Sequence, residues 1–144
     1  ESAYERIKTQ YAVVFFDLDY FKKLNDTYGH ECGDVVLSTF GKILNKSVRE
    51  HDIVGRYGGE EFVAIIHFNL NRELLQFLKR IKTIVTENSF LYKEKKIKVT
   101  FSAGVAIRSS YATYENTLQK ADMLLYQAKE NGRNKIILEN GMEI

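Results

Sequence analysis

Two pairs of carboxylates stand at the ends of apolar runs in this sequence. These four acids are Asp17, Asp19, Glu60 and Glu61. If they share one edge of a sheet, their like charges repel, and a divalent cation would relieve that repulsion. Magnesium uses one or two protein carboxylates and completes its shell with water and substrate phosphates. The pattern indicates metal-assisted phosphoryl transfer, but on spacing alone solvated acids beside turns are an equally good interpretation.

Hydrophobic periodicity predicts the elements that would position these acids. Residues 11–17 form a near-continuous apolar run, which predicts a central strand buried on both faces. Gly58-Gly59 supplies the positive φ of a tight turn and predicts a hairpin over 53–67. The remaining predicted elements are helices at 33–45, 71–87 and 114–131, the last followed by a C′ Gly132, a half-buried alternating strand at 97–107 and a strand at 135–138.

The order of these elements favours an α/β (α+β) fold of the ferredoxin-like kind. We expect a central, mostly antiparallel sheet of about five strands with flanking helices, formed as one domain over residues 1–144. The hairpin at 53–67 is expected in the middle of the sheet. The end of the strand at 11–17 would then lie beside the hairpin turn, which would make Asp17 and Glu60 neighbours.

Composition restricts the function classes. The 144 residues are 44% hydrophobic and include one cysteine, Cys32, which excludes an internal disulfide. A net charge of +2 is too small for a protein that mainly grips nucleic acid. Apolar runs long enough to span a membrane and a secretory signal pattern are both lacking. We therefore expect a soluble, cytoplasmic domain without membrane contact, and leave open a membrane anchor elsewhere in a larger protein.

Four segments resemble, in order, the signatures of bacterial GGDEF-domain diguanylate cyclases. They are FFDLDYFKKLNDTYGHECGD at 15–34, RYGGEEF at 56–62, FSAGVA at 101–106 and ADMLLYQAKENGRN at 121–134. Glu60 occupies the third position of the namesake motif, where the family carries Asp or Glu. The resemblance implies a palm-like nucleotide cyclase architecture. It also implies that two GTP molecules condense into cyclic di-GMP and two pyrophosphates between two facing domains, a transient or regulated homodimer.

The resemblance also implies the metal ligands and catalytic groups. Asp17, the main-chain carbonyl of Leu18 and Glu60 would bind Mg²⁺, with Mn²⁺ as a possible substitute. Glu60 would in addition help to activate the ribose 3′-hydroxyl for attack on the α-phosphate of the other GTP. Glu61 would support it.

The implied GTP ligands fall into three groups. The triphosphate group is Tyr20, Phe21, Lys22, Lys129 and Arg133, the guanine group is Asn25 and Asp34, and the turn glycines Gly58 and Gly59 leave room for the nucleotide. Each group has a structural alternative. Free amides at a helix start form an anion site whether or not the family resemblance holds. The alternative for Lys22 is a lysine whose aliphatic stem covers apolar surface while its ammonium stays in water. The alternative for Lys129 and Arg133 is an interaction with the dipole at a helix C-terminus. Asp34 can cap a helix that begins near Gly33.

A second site is implied by RxxD at 49–52, five residues before the turn glycines. Arg49 and Asp52, with Arg80 from the next helix, would bind cyclic di-GMP and inhibit the enzyme. Arginine forks onto acceptors and a carboxylate accepts from a base edge, which suits guanine and phosphate. RxxD is a frequent pattern, and its structural alternative is a solvated helix end with a local ion pair.

The chain departs from the family pattern at its start. Relatives carry a D-x-L-T-G-L-x-N-R segment, but here ESAYERIKTQ resembles only the tail of the helix that follows it. We therefore expect an N-terminally truncated domain, with a sensory or dimerisation domain upstream in the full-length protein. Two other hypotheses stay open: a non-catalytic domain that binds GTP or cyclic di-GMP, and a purely structural dimerisation domain.

Overall fold

The computed structural model describes residues 10–87 and 90–144. The strands are β1 (Gln10–Leu18), β2 (Ile53–Gly58), β3 (Glu61–Phe68), β4 (Phe90–Tyr92), β5 (Lys95–Ile97), β6 (Phe101–Ile107) and β7 (Ile136–Leu138). The helices are α1 (Phe21–Tyr28), α2 (His30–Ser47), α3 (Asn71–Glu87) and α4 (Tyr114–Glu130), with a 3₁₀ turn at Arg108–Ser110. Apart from Gln10, the predicted helix tail at the start of the chain lies outside the described residues.

The main sheet has five strands in the order β2-β3-β1-β6-β7. Among the strands of the described residues, β6–β7 is the one parallel pair, which confirms the mostly antiparallel five-strand sheet with flanking helices. The strands β4 and β5 form a separate hairpin. The predicted central position of β1 is confirmed, because it pairs with both β3 and β6 and is buried from Ala12 to Leu18.

The prediction that the 53–67 hairpin lies in the middle of the sheet is wrong. It forms one side of the sheet, with β2 as the edge strand. The physical reason is in β2 itself, whose residues are almost all exposed and include Gly55 and Gly58. Such a strand has too few apolar side chains to be covered on both faces, whereas the continuous apolar run of β1 can be.

The alternating strand predicted at 97–107 is also different in the structure. It is broken into β5 and β6 at residues 98–100, and Phe101 to Ala106 are all buried. The intervening positions carry small residues, which allow α4 to pack closely on that face. At Gly104 an added Cβ would lie 2.1 Å from the main-chain oxygen of Ala121. The alternation reflects large and small buried residues rather than buried and exposed ones.

Helix limits match the sequence pattern closely. The helix α3 has the predicted bounds, and α4 ends one residue before the predicted limit, at Glu130. Thr113 caps α4 by accepting a hydrogen bond from the N–H of Asn116 at 3.0 Å, and Gly132 has a φ of 113°, as a C′ glycine should. The helix predicted from residue 33 instead begins at His30 and ends at Ser47.

Two apolar layers lie on the two faces of β1. Alternate residues from Ala12 to Leu18 face the larger core, where Phe16, Phe40 and Phe101 pack together. Val13 and Phe15 face the layer covered by α4. Because strand side chains alternate between faces, Asp17 continues the second set and lies on the α4 side.

Among residues 10–87 and 90–144, none of the helices combines the length and the apolar character that a bilayer crossing needs.

Candidate active site

The predicted convergence of acids is present where β1 meets the hairpin turn. Asp17 lies directly opposite Glu61 in the antiparallel pairing of β1 with β3. The main-chain N–H of Leu18 donates to the carbonyl oxygen of Glu60 at 3.3 Å. Asp17 is buried, and Glu60 and Glu61 are half-buried. Backbone pairing therefore brings together acids that lie far apart in the sequence.

The turn between β2 and β3 has the predicted positive φ at Gly59 but not at Gly58. Gly59 has a φ of 48°, and its carbonyl oxygen accepts a 2.8 Å hydrogen bond from Nε of Arg56. A β-bulge between Arg56 and Gly58 precedes it. Across the described parts of the chain, nothing lies within 4 Å of a Cβ built at Gly58 or Gly59. The space beside the turn is open, and the nucleotide role of these glycines stays a prediction.

The electrostatics of the site follow from burial and like charge. Burial raises the pKa of Asp17, an effect that Lys129 opposes and that the charges of Glu60 and Asp19 reinforce. Burial, followed by the charge of Asp17, also raises the pKa of Glu61. The acids therefore resist simultaneous ionisation unless a cation accompanies them.

One such cation belongs to the protein. The ammonium of Lys129, in the last turn of α4, donates a short hydrogen bond to Oδ2 of Asp17. Lys129 was predicted as a triphosphate ligand, with a helix-dipole partner as the alternative. The structure gives it an ion pair at the acidic edge, an arrangement that neither interpretation included.

The donor set at this edge suits a hard divalent cation. In the part of the chain that the structure describes, there is no group of three or more His, Cys, Asp or Glu side chains that could hold a metal. Asp17, Glu60 and the main-chain carbonyl of Leu18 offer oxygen atoms only. Mg²⁺ and Mn²⁺ fit such a set, because these ions take oxygen ligands and accept water and phosphate in the other positions.

Asp19 lies near enough to the other acids for its charge to raise the pKa of Asp17, but it has partners of its own. Its buried carboxylate accepts hydrogen bonds from Oγ1 of Thr100 at 2.7 Å, from Oγ of Ser102 at 2.7 Å and from the N–H of Asn134 at 2.9 Å. Asp19 therefore differs from the edge acids in having its charge held by protein donors. The chain leaves β1 after Leu18, so the strand alternation that places Asp17 no longer applies to Asp19.

The predicted phosphate ligands meet at the N-terminus of α1. Tyr20 takes the N-cap position with a φ of 55°, Phe21 begins the helix and Lys22 is exposed. The Cζ atom of Arg133 lies 4.9 Å from the ring centroid of Tyr20. Arg133 follows α4, one helical turn beyond Lys129. The guanidinium of Arg133 thus lies beside the N-terminus of α1, whose first amides are free to bind an anion.

The predicted guanine ligands lie on neighbouring helices. Because α2 begins at His30 with Gly29 as its N-cap residue, Asp34 is one turn inside the helix and does not cap it. Asp34 is exposed. Oδ1 of Asn25 is buried without a hydrogen-bond partner in the described chain, and a Cβ at Gly33 would lie 1.8 Å from it. The unpaired Oδ1 of Asn25 thus lies against Gly33, the residue that precedes Asp34.

The three predicted product ligands lie around the end of α2. Arg49 is 70% exposed and its Nη2 lies 3.7 Å from Oε2 of Glu73. Nη2 of Arg80 donates to the carbonyl oxygen of Ser47 at 2.7 Å. Asp52 is different, because its side chain is only 3% exposed.

The carboxylate of Asp52 has main-chain partners. It accepts from the N–H of Arg49 at 2.9 Å and from the N–H of His67 at 2.8 Å. The structural alternative was a local ion pair, but the guanidinium of Arg49 instead pairs with Glu73 on α3. Arg49 and Arg80 are therefore the exposed members of the predicted site.

Comparison with known families gives a match over nearly the whole chain. The family model described as "Diguanylate cyclase, GGDEF domain" matches residues 1–135. The chain is 39% identical over 135 residues to diguanylate cyclase A of Treponema denticola, covering 91% of this chain and 36% of that protein. It is 39% identical over 130 residues to diguanylate cyclase DgcS of Shewanella oneidensis, covering 90% of this chain and 43% of that protein. The chain thus spans well under half the length of these relatives.

Solved structures share the fold. The GGDEF domain of YfiN (also TpbB) from Pseudomonas aeruginosa superposes with a TM-score of 0.86 at 31% identity, covering 94% of this chain and 85% of that one. The GGDEF domain of DgcB from Caulobacter crescentus, solved in complex with c-di-GMP, gives a TM-score of 0.84 at 27% identity, covering 92% and 80%.

Proposed function

Because this chain belongs to the family of GGDEF-domain diguanylate cyclases, we propose that it condenses two GTP molecules into cyclic di-GMP and two pyrophosphates. The observation that carries the proposal is the meeting of β1 with the hairpin turn, where Asp17 faces Glu61 and Leu18 bonds to Glu60. A cluster of acids that repel one another is costly in a domain that only binds a nucleotide. A phosphoryl-transfer enzyme uses them as metal ligands.

The metal would be held by Asp17, the carbonyl of Leu18 and Glu60. When bound, Mg²⁺ or Mn²⁺ supplies positive charge for the acids and for the triphosphate. The proton transfer is carried out by an acid of this chain. Glu60 accepts the proton of the ribose 3′-hydroxyl as the bond from O3′ to the α-phosphorus forms. The bond between the α-phosphorus and the bridging oxygen breaks at the same centre, and pyrophosphate leaves with the electron pair.

The nucleotide would be oriented by cations at one end and by polar side chains at the other. Lys22, Lys129 and Arg133, with the amides at Tyr20 and Phe21, bind the triphosphate and compensate its charge. The carboxylate of Asp34 accepts from N1–H and N2–H of guanine, and Asn25 contributes its unused acceptor. Adenine has no matching pair of donors at these positions, so this arrangement selects GTP over ATP.

Two copies of the domain complete the reaction. Each domain holds one GTP, so the 3′-hydroxyl of one must meet the α-phosphate of the other across a homodimer. Since the chain spans well under half of its curated relatives, an upstream sensory or dimerising domain in the full-length protein would control that encounter. Product bound at Arg49 and Arg80, with Asp52 shaping the loop that follows α2, would inhibit it.

The test is turnover with GTP and Mg²⁺, measured as pyrophosphate and cyclic di-GMP together. Asp17→Asn and Glu60→Gln should each reduce turnover at least about a hundredfold, because a metal supplies several kcal/mol of charge stabilisation. Glu87→Gln, an exposed change at the far end of α3, is the matched control. A dimerising coiled coil fused to the N-terminus keeps the assay independent of protein concentration. Undiminished turnover in both acid variants would contradict the assigned metal roles.

A non-catalytic GTP or cyclic di-GMP receptor is the second candidate. The observation in its favour is the ion pair between Lys129 and Asp17, which gives the acid a partner without a metal. The fused dimer separates the two candidates. A receptor would bind GTP or cyclic di-GMP and release no pyrophosphate, whereas the enzyme releases one pyrophosphate for each GTP consumed.

A further inference from the structure

The turn after α4 is held in an unfavourable backbone conformation. Gly132, Arg133 and Asn134 have consecutive positive φ angles of 113°, 64° and 49°. Glycine adopts this region freely and asparagine tolerates it, whereas arginine rarely does because its Cβ crowds the following carbonyl oxygen. Such strain persists only where surrounding contacts over-determine it, and it is concentrated at functional sites. The contacts that hold this turn can be identified.

One contact comes from the end of β1. The N–H of Asn134 donates to Oδ2 of Asp19 at 2.9 Å. That carboxylate is buried and is itself oriented by the hydroxyls of Thr100 and Ser102, each at 2.7 Å. Asp19 therefore presents a fixed acceptor to the turn.

The other contact comes from the opposite side, from α3. Nζ of Lys82 donates to the carbonyl oxygen of Asn134 at 2.9 Å and to the main-chain oxygen of Ile144 at 2.8 Å. Lys82 is half-buried. Burial, and after it the charge of Lys135, lowers the pKa of Lys82, while the charge of Asp19 opposes that shift. An ammonium partly withdrawn from water makes strong hydrogen bonds, because few water molecules compete for its N–H groups.

Arg133 lies in the chain between α4 and Asn134, the residue that both contacts hold. Its N–H donates to the carbonyl oxygen of Ala128 at 2.9 Å, and its guanidinium lies over the ring of Tyr20. We propose that Asp19 and Lys82 are positioning residues, which hold Arg133 over Tyr20 for the triphosphate by binding the N–H and the carbonyl of Asn134. This inference rests on the proposed function, since it takes Arg133 as a phosphate ligand.

The variant that tests it is Lys82→Met, which removes the ammonium and keeps an unbranched apolar stem. Lys79→Met, at an exposed position one turn earlier on α3, is the matched control. The readout is the Kd of the α,β-methylene analogue of GTP, which cannot release pyrophosphate, with the Tm of each variant recorded beside it. Loss of the ammonium frees the carbonyl of Asn134, so we expect Lys82→Met to weaken binding about tenfold, which corresponds to about 1.4 kcal/mol. Lys79→Met should leave the Kd unchanged, and Lys82→Arg should restore it.

A double-mutant cycle with Arg133→Ala separates positioning from general stability. If Lys82 acts through Arg133, Lys82→Met has little effect on the Kd in the Arg133→Ala background, although its effect on the Tm remains. An equal loss of affinity in both backgrounds, or a loss of Tm with an unchanged Kd, would overturn the inference. If Arg133→Ala alone leaves the Kd unchanged, the phosphate role assigned to Arg133 under the proposed function fails instead.

Asp19→Asn provides the same test from the other side of the turn. It is isosteric and replaces one acceptor oxygen with a donor, so the N–H of Asn134 loses part of its partner. We expect about threefold weaker binding of the same analogue, corresponding to a net hydrogen bond of about 0.5–1 kcal/mol. This effect too should disappear when Arg133 is alanine. If the effect of Asp19→Asn persists in the Arg133→Ala background, the positioning role is contradicted. This test also applies if Lys82→Met fails to fold.

Discussion

Lys129 donates a hydrogen bond from the last turn of α4 to Oδ2 of Asp17 at the end of β1, joining residues 112 positions apart in the chain. The pair places a protein cation where the proposed function requires a divalent one. Under the proposed function, a metal that takes Oδ2 of Asp17 would displace this ammonium, which would then be free to reach a substrate phosphate. Lys129 would in that case link metal binding to triphosphate binding.

Lys129→Met should change the two affinities in opposite directions. The affinity for Mn²⁺ alone, followed by electron paramagnetic resonance, should rise a few-fold because no ammonium competes for Asp17. The affinity for the α,β-methylene analogue of GTP should fall about tenfold or more, since a charge-assisted hydrogen bond of about 1.5–3 kcal/mol is lost. Lys120→Met, on the same helix, is the control. A fall in both affinities would show that Lys129 does not compete with the metal.

Gly33→Ala should disrupt guanine binding through Asn25. An added Cβ at residue 33 would lie 1.8 Å from Oδ1 of Asn25, so that side chain must move. We expect the Kd for GTP to rise about tenfold, and the preference for GTP over inosine triphosphate to shrink. Alanine alone would favour the helix by about 0.5–1 kcal/mol, so weaker binding cannot be attributed to helix propensity.

Gly41→Ala is the matched control for this change. It lies on the same helix, and its Cβ would be 3.5 Å from Cε2 of Phe62, an ordinary contact. Gly41→Ala should leave the Kd for GTP unchanged. Equal affinities for GTP in the Gly33→Ala and Gly41→Ala proteins would remove Asn25 from the guanine site.

Arg49→Ala and Asp52→Asn should differ in effect although both belong to RxxD. Arg49 is exposed and makes only a surface ion pair, worth about 0–1 kcal/mol. Its loss should relieve inhibition of turnover by cyclic di-GMP about tenfold or more and lower the Tm little. Asp52→Asn sets an amide donor against a main-chain N–H and should cost about 1–3 kcal/mol of stability. Product inhibition unchanged in Arg49→Ala would rule out this arginine as a product ligand.

Glu73 should make stability depend on pH. Main-chain hydrogen bonds from Leu70 and Asn69, at 2.8 and 2.7 Å, lower the pKa of Glu73 below its ordinary 4.5, and Arg49 adds to this. A pKa depressed by folding contributes stability that is fully present above the ordinary value and is lost as the pH falls through the folded value. Glu73→Ala should therefore lower the Tm at pH 7, and the difference should narrow below about pH 4.5.

The control for this prediction is Glu87→Ala, an exposed change at the other end of α3. Its effect on the Tm should be small between pH 3 and pH 7. If the Tm difference between Glu73→Ala and the parent protein is the same at both ends of that range, the carboxylate charge does not contribute to capping α3.

Local patterns in the sequence determined most of the elements and the chemistry of the site. The apolar run of β1, the Gly58-Gly59 turn and the limits of α3 and α4 follow from side-chain periodicity and backbone preference, which act over a few residues. The proximity of Asp17 to the turn was also predicted from the sequence, because a hairpin that packs beside a central strand can bring its turn next to the end of that strand.

Tertiary structure alone decided which partners these residues take. The edge position of the hairpin, the hydrogen bonds of Asp19, the ion pair of Lys129 with Asp17 and the burial of Asp52 depend on elements distant in the chain. Short-range periodicity carries no information about such pairings, because it specifies which face of an element is apolar and not which element covers it. A charged side chain near several donors takes the partner that packing brings within reach, and only the assembled fold determines that partner.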